Sequence, residues 1–135
     1  MSSCSRIVLV DDNEMDNIFH EVILRRAGFT GEILVFEMAQ QALDYFLAEH
    51  SSAPTLIFLD INMPAMDGFE FAREAESLLR RIPSVTIVML SSSSDDRDMK
   101  RAASLAVISG YIVKPMVEEI ARELIDGNLD SATFR

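Results

Sequence analysis

Four short apolar runs, rich in β-branched or aromatic residues and separated by segments with helical spacing, constrain this chain more than any other feature. They are Ile7 to Val10, Leu56 to Leu59, Thr86 to Leu90 and Tyr111 to Val113, and Ile33 to Phe36 makes a fifth. Continuous runs of this length suit strands covered on both faces, as in a parallel sheet, because a strand with one wet face alternates apolar with polar. Between the runs, Met15, Ile18, Phe19, Val22 and Ile23 recur at three and four residues and so share one helical face. Asn13 is placed to cap that helix, Asp16 puts an acid in its first turn, and Gly28 stands where a left-handed terminal residue is wanted. Further stripes appear at Ala39, Ala42, Leu43, Phe46 and Leu47, and at Phe69, Ala72, Ala75 and Leu79, the latter closed by Pro83. Met99, Ala102, Ala103 and Ala106 make a fourth, and Val117, Ile120, Ala121 and Leu124 a fifth.

Strand and helix thus alternate five times, which predicts an α/β fold: a doubly wound parallel sheet with helices on both faces, joined by right-handed crossovers. In such sheets ligands bind beyond the carboxyl ends of the strands, at the switch in strand order. Chain length and a 49% hydrophobic content suffice for one domain with one core, expected over 1–127, with 128–135 as a short, frayed tail. An appended output domain is therefore not expected. The formal charge of -10 is opposite to the footprint of a nucleic-acid binder, so DNA or RNA is not an expected partner. No apolar run approaches the roughly 20 residues that cross a bilayer, and the single Cys4 has no disulfide partner, so a cytoplasmic location without membrane insertion is expected.

The chemistry is concentrated where the strands end. Strand one runs into Asp11 and Asp12, and paired acids there suit a hard cation such as Mg²⁺, which takes oxygen ligands and one or two carboxylates. Alone, the pair is explained as well by helix capping and solvation. Strand three delivers Asp60 to the same edge, and three converging carboxylates repel one another unless a cation sits among them. Pro64, Asp67 and Gly68, which follow Asp60, read as turn and capping residues. Strand four ends at Ser91, whose hydroxyl can donate to a phosphate oxygen, and strand five at Lys114, a point charge of the kind phosphate sites use. Pro115 is expected to start the last helix.

Taken in order and spacing, Val10-Asp11-Asp12-Asn13, Leu59-Asp60-Ile61-Asn62-Met63-Pro64-Ala65-Met66-Asp67-Gly68, Ser91 and Tyr111-Ile112-Val113-Lys114-Pro115 resemble the receiver domain of bacterial two-component response regulators. The resemblance spans nearly the whole chain. It implies a flavodoxin-like sheet of five parallel strands in the order 2-1-3-4-5, flanked by five helices. It also implies that Asp60 is the phosphoacceptor, that Asp11, Asp12, Asp60 and the Asn62 backbone carbonyl hold Mg²⁺, that Ser91 and Lys114 bind the phosphoryl oxygens, and that Ser91 and Tyr111 form the switch. The implied partners are a histidine kinase or histidine phosphotransfer protein upstream and a separate protein target downstream, docked on the face of Tyr111 and the fourth and fifth helices.

Two other functions fit parts of the pattern. A haloacid-dehalogenase-type phosphatase also uses a strand-end aspartate, but needs a second acid two positions on, where this chain has Asn62, which cannot donate a carboxyl proton. A phosphorylation-independent interaction module would keep the fold without the transfer. His20 and His50 read as solvated and have no second ligand at metal spacing. The eight methionines are scattered and read mostly as core fillers.

Overall fold

The structure, a computed structural model, describes residues 4–48, 53–82, 84–130 and 132, so Pro83 and His50 lie outside the described residues. Five strands and five helices alternate: β1 (Arg6–Val10), α1 (Glu14–Arg26), β2 (Glu32–Phe36), α2 (Ala39–Ala48), β3 (Thr55–Leu59), α3 (Gly68–Arg80), β4 (Val85–Ser91), α4 (Asp96–Ala103), β5 (Ile108–Val113) and α5 (Glu118–Ile125). The sheet is parallel throughout with the order β2-β1-β3-β4-β5. β1 and β3 are buried along their whole length, which is why their sequences carry no polar alternation. β2, at the edge, is only partly covered.

Alternate strand residues feed two separate apolar layers, as the pleat requires. Val8, Val10, Ile57, Leu59, Ile87 and Met89 pack with Ala42, Phe46, Phe71, Ala75 and Ala102 of α2, α3 and α4. Ile7, Leu9, Leu56, Phe58, Val88 and Leu90 pack with Leu24 of α1 and with Ala121, Leu124 and Ile125 of α5.

Local capping follows the sequence. The Asn13 side chain accepts from Asp16 N at the start of α1, and Gly28 adopts φ +102° just past its end. Asp67 caps α3 in a reciprocal capping box with Glu70.

Five expectations need correction. First, the apolar stripe of α1 faces outward: Met15, Ile18, Phe19 and Val22 are 45–71% exposed, and only Ile23 packs against the core. The buried face is Asn17, His20, Leu24 and Ala27, because the two polar side chains find fixed hydrogen-bond partners there: Asn17 Nδ2 donates to the Asp11 carbonyl, and His20 Nε2 accepts from Met116 N. Second, His20 is therefore a buried residue, at 3% exposure, rather than a solvated one. Third, α4 stops at Ala103, so Ala106 lies beyond the helix and is exposed, and Ala102 is the one residue of the helix that is buried. Fourth, Pro115 does not open α5; it precedes the Val117 N-cap by two residues, in a cis Lys114–Pro115 peptide. Fifth, the described part of the tail folds back. Ala132 is 1% exposed, and its carbonyl accepts from Tyr111 N at 2.7 Å along the outer edge of β5. A side chain on Gly110 would meet that carbonyl oxygen at 2.5 Å, so the close approach requires glycine there.

Candidate functional site

Register brings the chemistry together. Val10, Leu59, Met89 and Tyr111 lie side by side across β1, β3, β4 and β5, so the residues just beyond them emerge at one edge. Asp60 N donates to the Val10 carbonyl and Lys114 N to the Ser91 carbonyl, which extends the ladder into the site itself. The loop after Asp60 is shaped by Ala65, which holds φ 69°, a left-handed conformation costly for a residue with a Cβ. Gly68 then brings the start of α3 against the Asp60 backbone. A Cβ at Gly68 would collide with the Asp60 carbonyl oxygen, so this glycine seats the aspartate as well as opening a helix.

Asp11, Asp12 and Asp60 each offer a carboxylate oxygen within 4.8 Å of the others. Asp11 and Asp60 are buried and Asp12 is exposed. Lys114 reaches over this group: its Nζ lies 2.6 Å from Asp11 Oδ2, 2.8 Å from Asp16 Oδ2 and 3.7 Å from Asp60 Oδ1. Asp11 Oδ1 is occupied by the Asn13 N–H at 2.9 Å.

These contacts set the electrostatics. Burial, and next the neighbouring Asp11 charge, push the Asp60 carboxyl up to about 6, against the pull of Lys114 and the Ile61 N–H. Burial pulls the Lys114 ammonium down, but its hydrogen bonds to Asp11 and Asp16 outweigh that and leave its pKa above the ordinary value. One cation shared among several acids leaves a net negative, all-oxygen pocket. That donor set suits a hard divalent ion such as Mg²⁺, which would relieve the repulsion recorded in the raised Asp60 pKa.

Ser91, fully buried at the end of β4, accepts from Ser93 N through its Oγ. Tyr111 is turned inward, 7% exposed, and its hydroxyl donates to the Ser93 carbonyl at 2.8 Å. Asn62 sits on the exposed part of the loop two residues past Asp60. The structure therefore gathers Asp11, Asp12, Asp60 and Lys114 in one cluster, with Ser91 joined to it by the Lys114 N–H on its carbonyl and Ser91 and Tyr111 both bonded to Ser93.

Sequence reasoning missed two participants. Asp16 appeared only as a first-turn acid and His20 only as a surface residue. The available signal was the mixed stripe Asn17, His20, Leu24 and Ala27, spaced by three and four residues like the apolar one.

Comparison with known proteins agrees with this fold. The family model described as response regulator receiver domain matches residues 7–126. The probable methanogenesis regulatory protein FilR2 of Methanothrix harundinacea is 31% identical over 123 residues, 89% of this chain and 78% of that protein. Chemotaxis protein CheY of Pseudomonas aeruginosa is 28% identical over 90% of this chain and 93% of its own length. The crystal structure of a response regulator receiver protein from Dyadobacter fermentans superposes with a TM-score of 0.80 at 30% identity, covering 89% of this chain and 94% of that one. Several other curated relatives are longer, and the chain spans less than half of their length. With five parallel strands in the order 2-1-3-4-5 and the family match running from β1 to the end of α5, the chain belongs to the response regulator receiver domain family of two-component signalling.

Proposed function

We propose that this receiver domain accepts a phosphoryl group on Asp60 from a phosphohistidine of a partner kinase or phosphotransfer protein, and signals to a separate protein by a change of shape. The observation that carries the reading is the convergence of Lys114 on Asp11 and Asp60, from strands far apart in sequence. An Asp60 carboxylate oxygen attacks phosphorus in line; the O–P bond forms as the N–P bond breaks, and the bonding pair stays on the imidazole nitrogen of the donor. Such transfers need positioning and charge neutralisation more than covalent help. Asp11, Asp12, Asp60 and the Asn62 carbonyl would hold Mg²⁺, which supplies positive charge to the phosphoryl oxygens. Lys114 supplies the remaining cation and Ser91 a hydroxyl donor.

Tyr111, bonded through its hydroxyl to the Ser93 carbonyl in the turn that begins at Ser91, gives the signal its route. Recruiting the Ser91 hydroxyl to a phosphoryl oxygen shifts the Ser91–Ser93 turn that Tyr111 holds and biases the packing of β5 with α4 and α5, the face proposed to meet the target. A bias of about 1–3 kcal/mol changes partner affinity roughly 5- to 150-fold.

Incubation with Mg²⁺ and acetyl phosphate, followed by intact-protein mass spectrometry, tests the reading. One phosphoryl group on the wild type and none on Asp60→Asn is the expected result. Label that survives the substitution would remove Asp60 as acceptor, rapid hydrolysis of phosphate monoesters would indicate a phosphatase, and a target bound equally with and without donor would indicate a phosphorylation-independent module.

A further inference from the structure

The buried histidine of α1 is tied to the site through one ring nitrogen. His20 Nε2 accepts from the Met116 N–H at 3.3 Å. Asp16 also carries the carboxylate that holds Lys114 at 2.8 Å, and Met116 follows immediately on the Lys114–Pro115 peptide. One ring thus joins α1, one turn beyond Asp16, to the backbone two residues beyond Lys114.

The consequence falls on the ammonium. A lysine has three N–H donors. Asp11 and Asp16 take two, and the third remains for Asp60 Oδ1, which at 3.7 Å is too distant for a hydrogen bond but leaves a phosphoryl oxygen on Asp60 within reach. The neighbours of His20 in this layer include Leu9, Leu24 and Met116, where an apolar side chain would fill space equally well. A polar ring in such surroundings needs a hydrogen-bond partner, and the Met116 N–H supplies one. Burial, with the Lys114 charge next, lowers its pKa and keeps it neutral, as acceptance from Met116 requires.

We infer, on the phosphoacceptor reading above, that His20 is a positioning residue for phosphoryl transfer: it clamps the β5–α5 turn to α1 so that Lys114 is held between Asp11 and Asp16 with one N–H directed at the group arriving on Asp60.

The test measures the Mg²⁺-dependent phosphorylation rate with saturating acetyl phosphate for the wild type, His20→Leu and His20→Gln, and for His20→Leu combined with Lys114→Met. His20→Leu is expected to slow transfer about tenfold, the scale of a small misplacement of a charged group. His20→Gln, whose amide oxygen can accept from Met116 N, should recover most of the rate. In the Lys114→Met background His20→Leu should cause no further loss, because the ring acts through the lysine. A wild-type rate in His20→Leu, or the same fold-loss with and without Lys114, overturns the proposal while leaving the phosphoacceptor reading standing; a wild type that takes no label overturns both. Should His20→Leu fail to fold, ¹⁵N NMR of the wild-type ring at neutral pH decides: a bare Nε2 and a protonated Nδ1 support the clamp, and a proton on Nε2 refutes it.

Discussion

Replacing Asp60 by asparagine should make the protein more stable, although it removes the proposed reacting group. The perturbation deletes one of three carboxylates whose oxygens lie within 4.8 Å of one another, and keeps an acceptor for the Ile61 N–H. Asp60 titrates near 6 in the fold against 3.8 ordinarily, and each unit corresponds to about 1.4 kcal/mol, so the ionised form costs the fold up to about 3 kcal/mol. Because the folded-state pKa is raised, the native state binds this proton more tightly than the unfolded chain. Wild-type stability from this group is therefore greatest in acid and falls as pH rises from about 4 to about 6. The gain from Asp60→Asn should be fully present above about pH 6.5 and absent below about pH 3.5, and a gain of that size raises Tm by about 10 °C in a domain of this length. Urea unfolding of both proteins in chelator, at neutral pH and near pH 4, measures it. Mg²⁺ should then stabilise the wild type selectively and narrow the gap, by about 2.7 kcal/mol at a hundredfold excess over Kd. No gain at neutral pH, or an equal gain at both pH values, would refute the electrostatic account of the pocket.

Other consequences are as direct. Gly68→Ala places a methyl group against the Asp60 carbonyl and should destabilise by about 1–3 kcal/mol, while slowing phosphorylation more than the stability loss explains; equilibrium unfolding and the transfer rate are compared. On α1, Leu24→Ala should cost about 2–4 kcal/mol, because Leu24 is fully buried. Phe19→Ser, on the exposed stripe, should stay within about 0.5 kcal/mol in the same unfolding assay; similar losses for the two would contradict the orientation of the helix.

The central strands were legible because burial on both faces leaves an uninterrupted apolar signature, and β2 because even a partly covered edge strand kept Ile33 to Phe36 apolar. The orientation of α1 was not. Periodicity identifies residues that share a face but does not say which face turns inward. Burial of Asn17 and His20 depends on the Asp11 carbonyl and the Met116 amide, and the latter lies 96 residues away. The same reason divides the site. Asp11, Asp12, Asp60, Ser91 and Lys114 announce themselves by standing at strand ends, whereas Asp16 matters only through a lysine 98 residues later. The C-terminal segment was illegible for a related reason. Ala132 docks by its backbone carbonyl, a contact any residue could make, and the complementary clue, Gly110, reads as a plain small residue until the close approach is seen.

A crystal structure of the protein with Mg²⁺ and beryllofluoride, a stable mimic of the aspartyl phosphate, tests the central claim most directly. The account predicts the mimic on Asp60, the metal on oxygens of Asp11, Asp12, Asp60 and the Asn62 carbonyl, and fluorides contacted by Lys114 Nζ and Ser91 Oγ. Beryllium bound to another side chain, or a Lys114 that remains on Asp16 with no contact to the mimic, would contradict it.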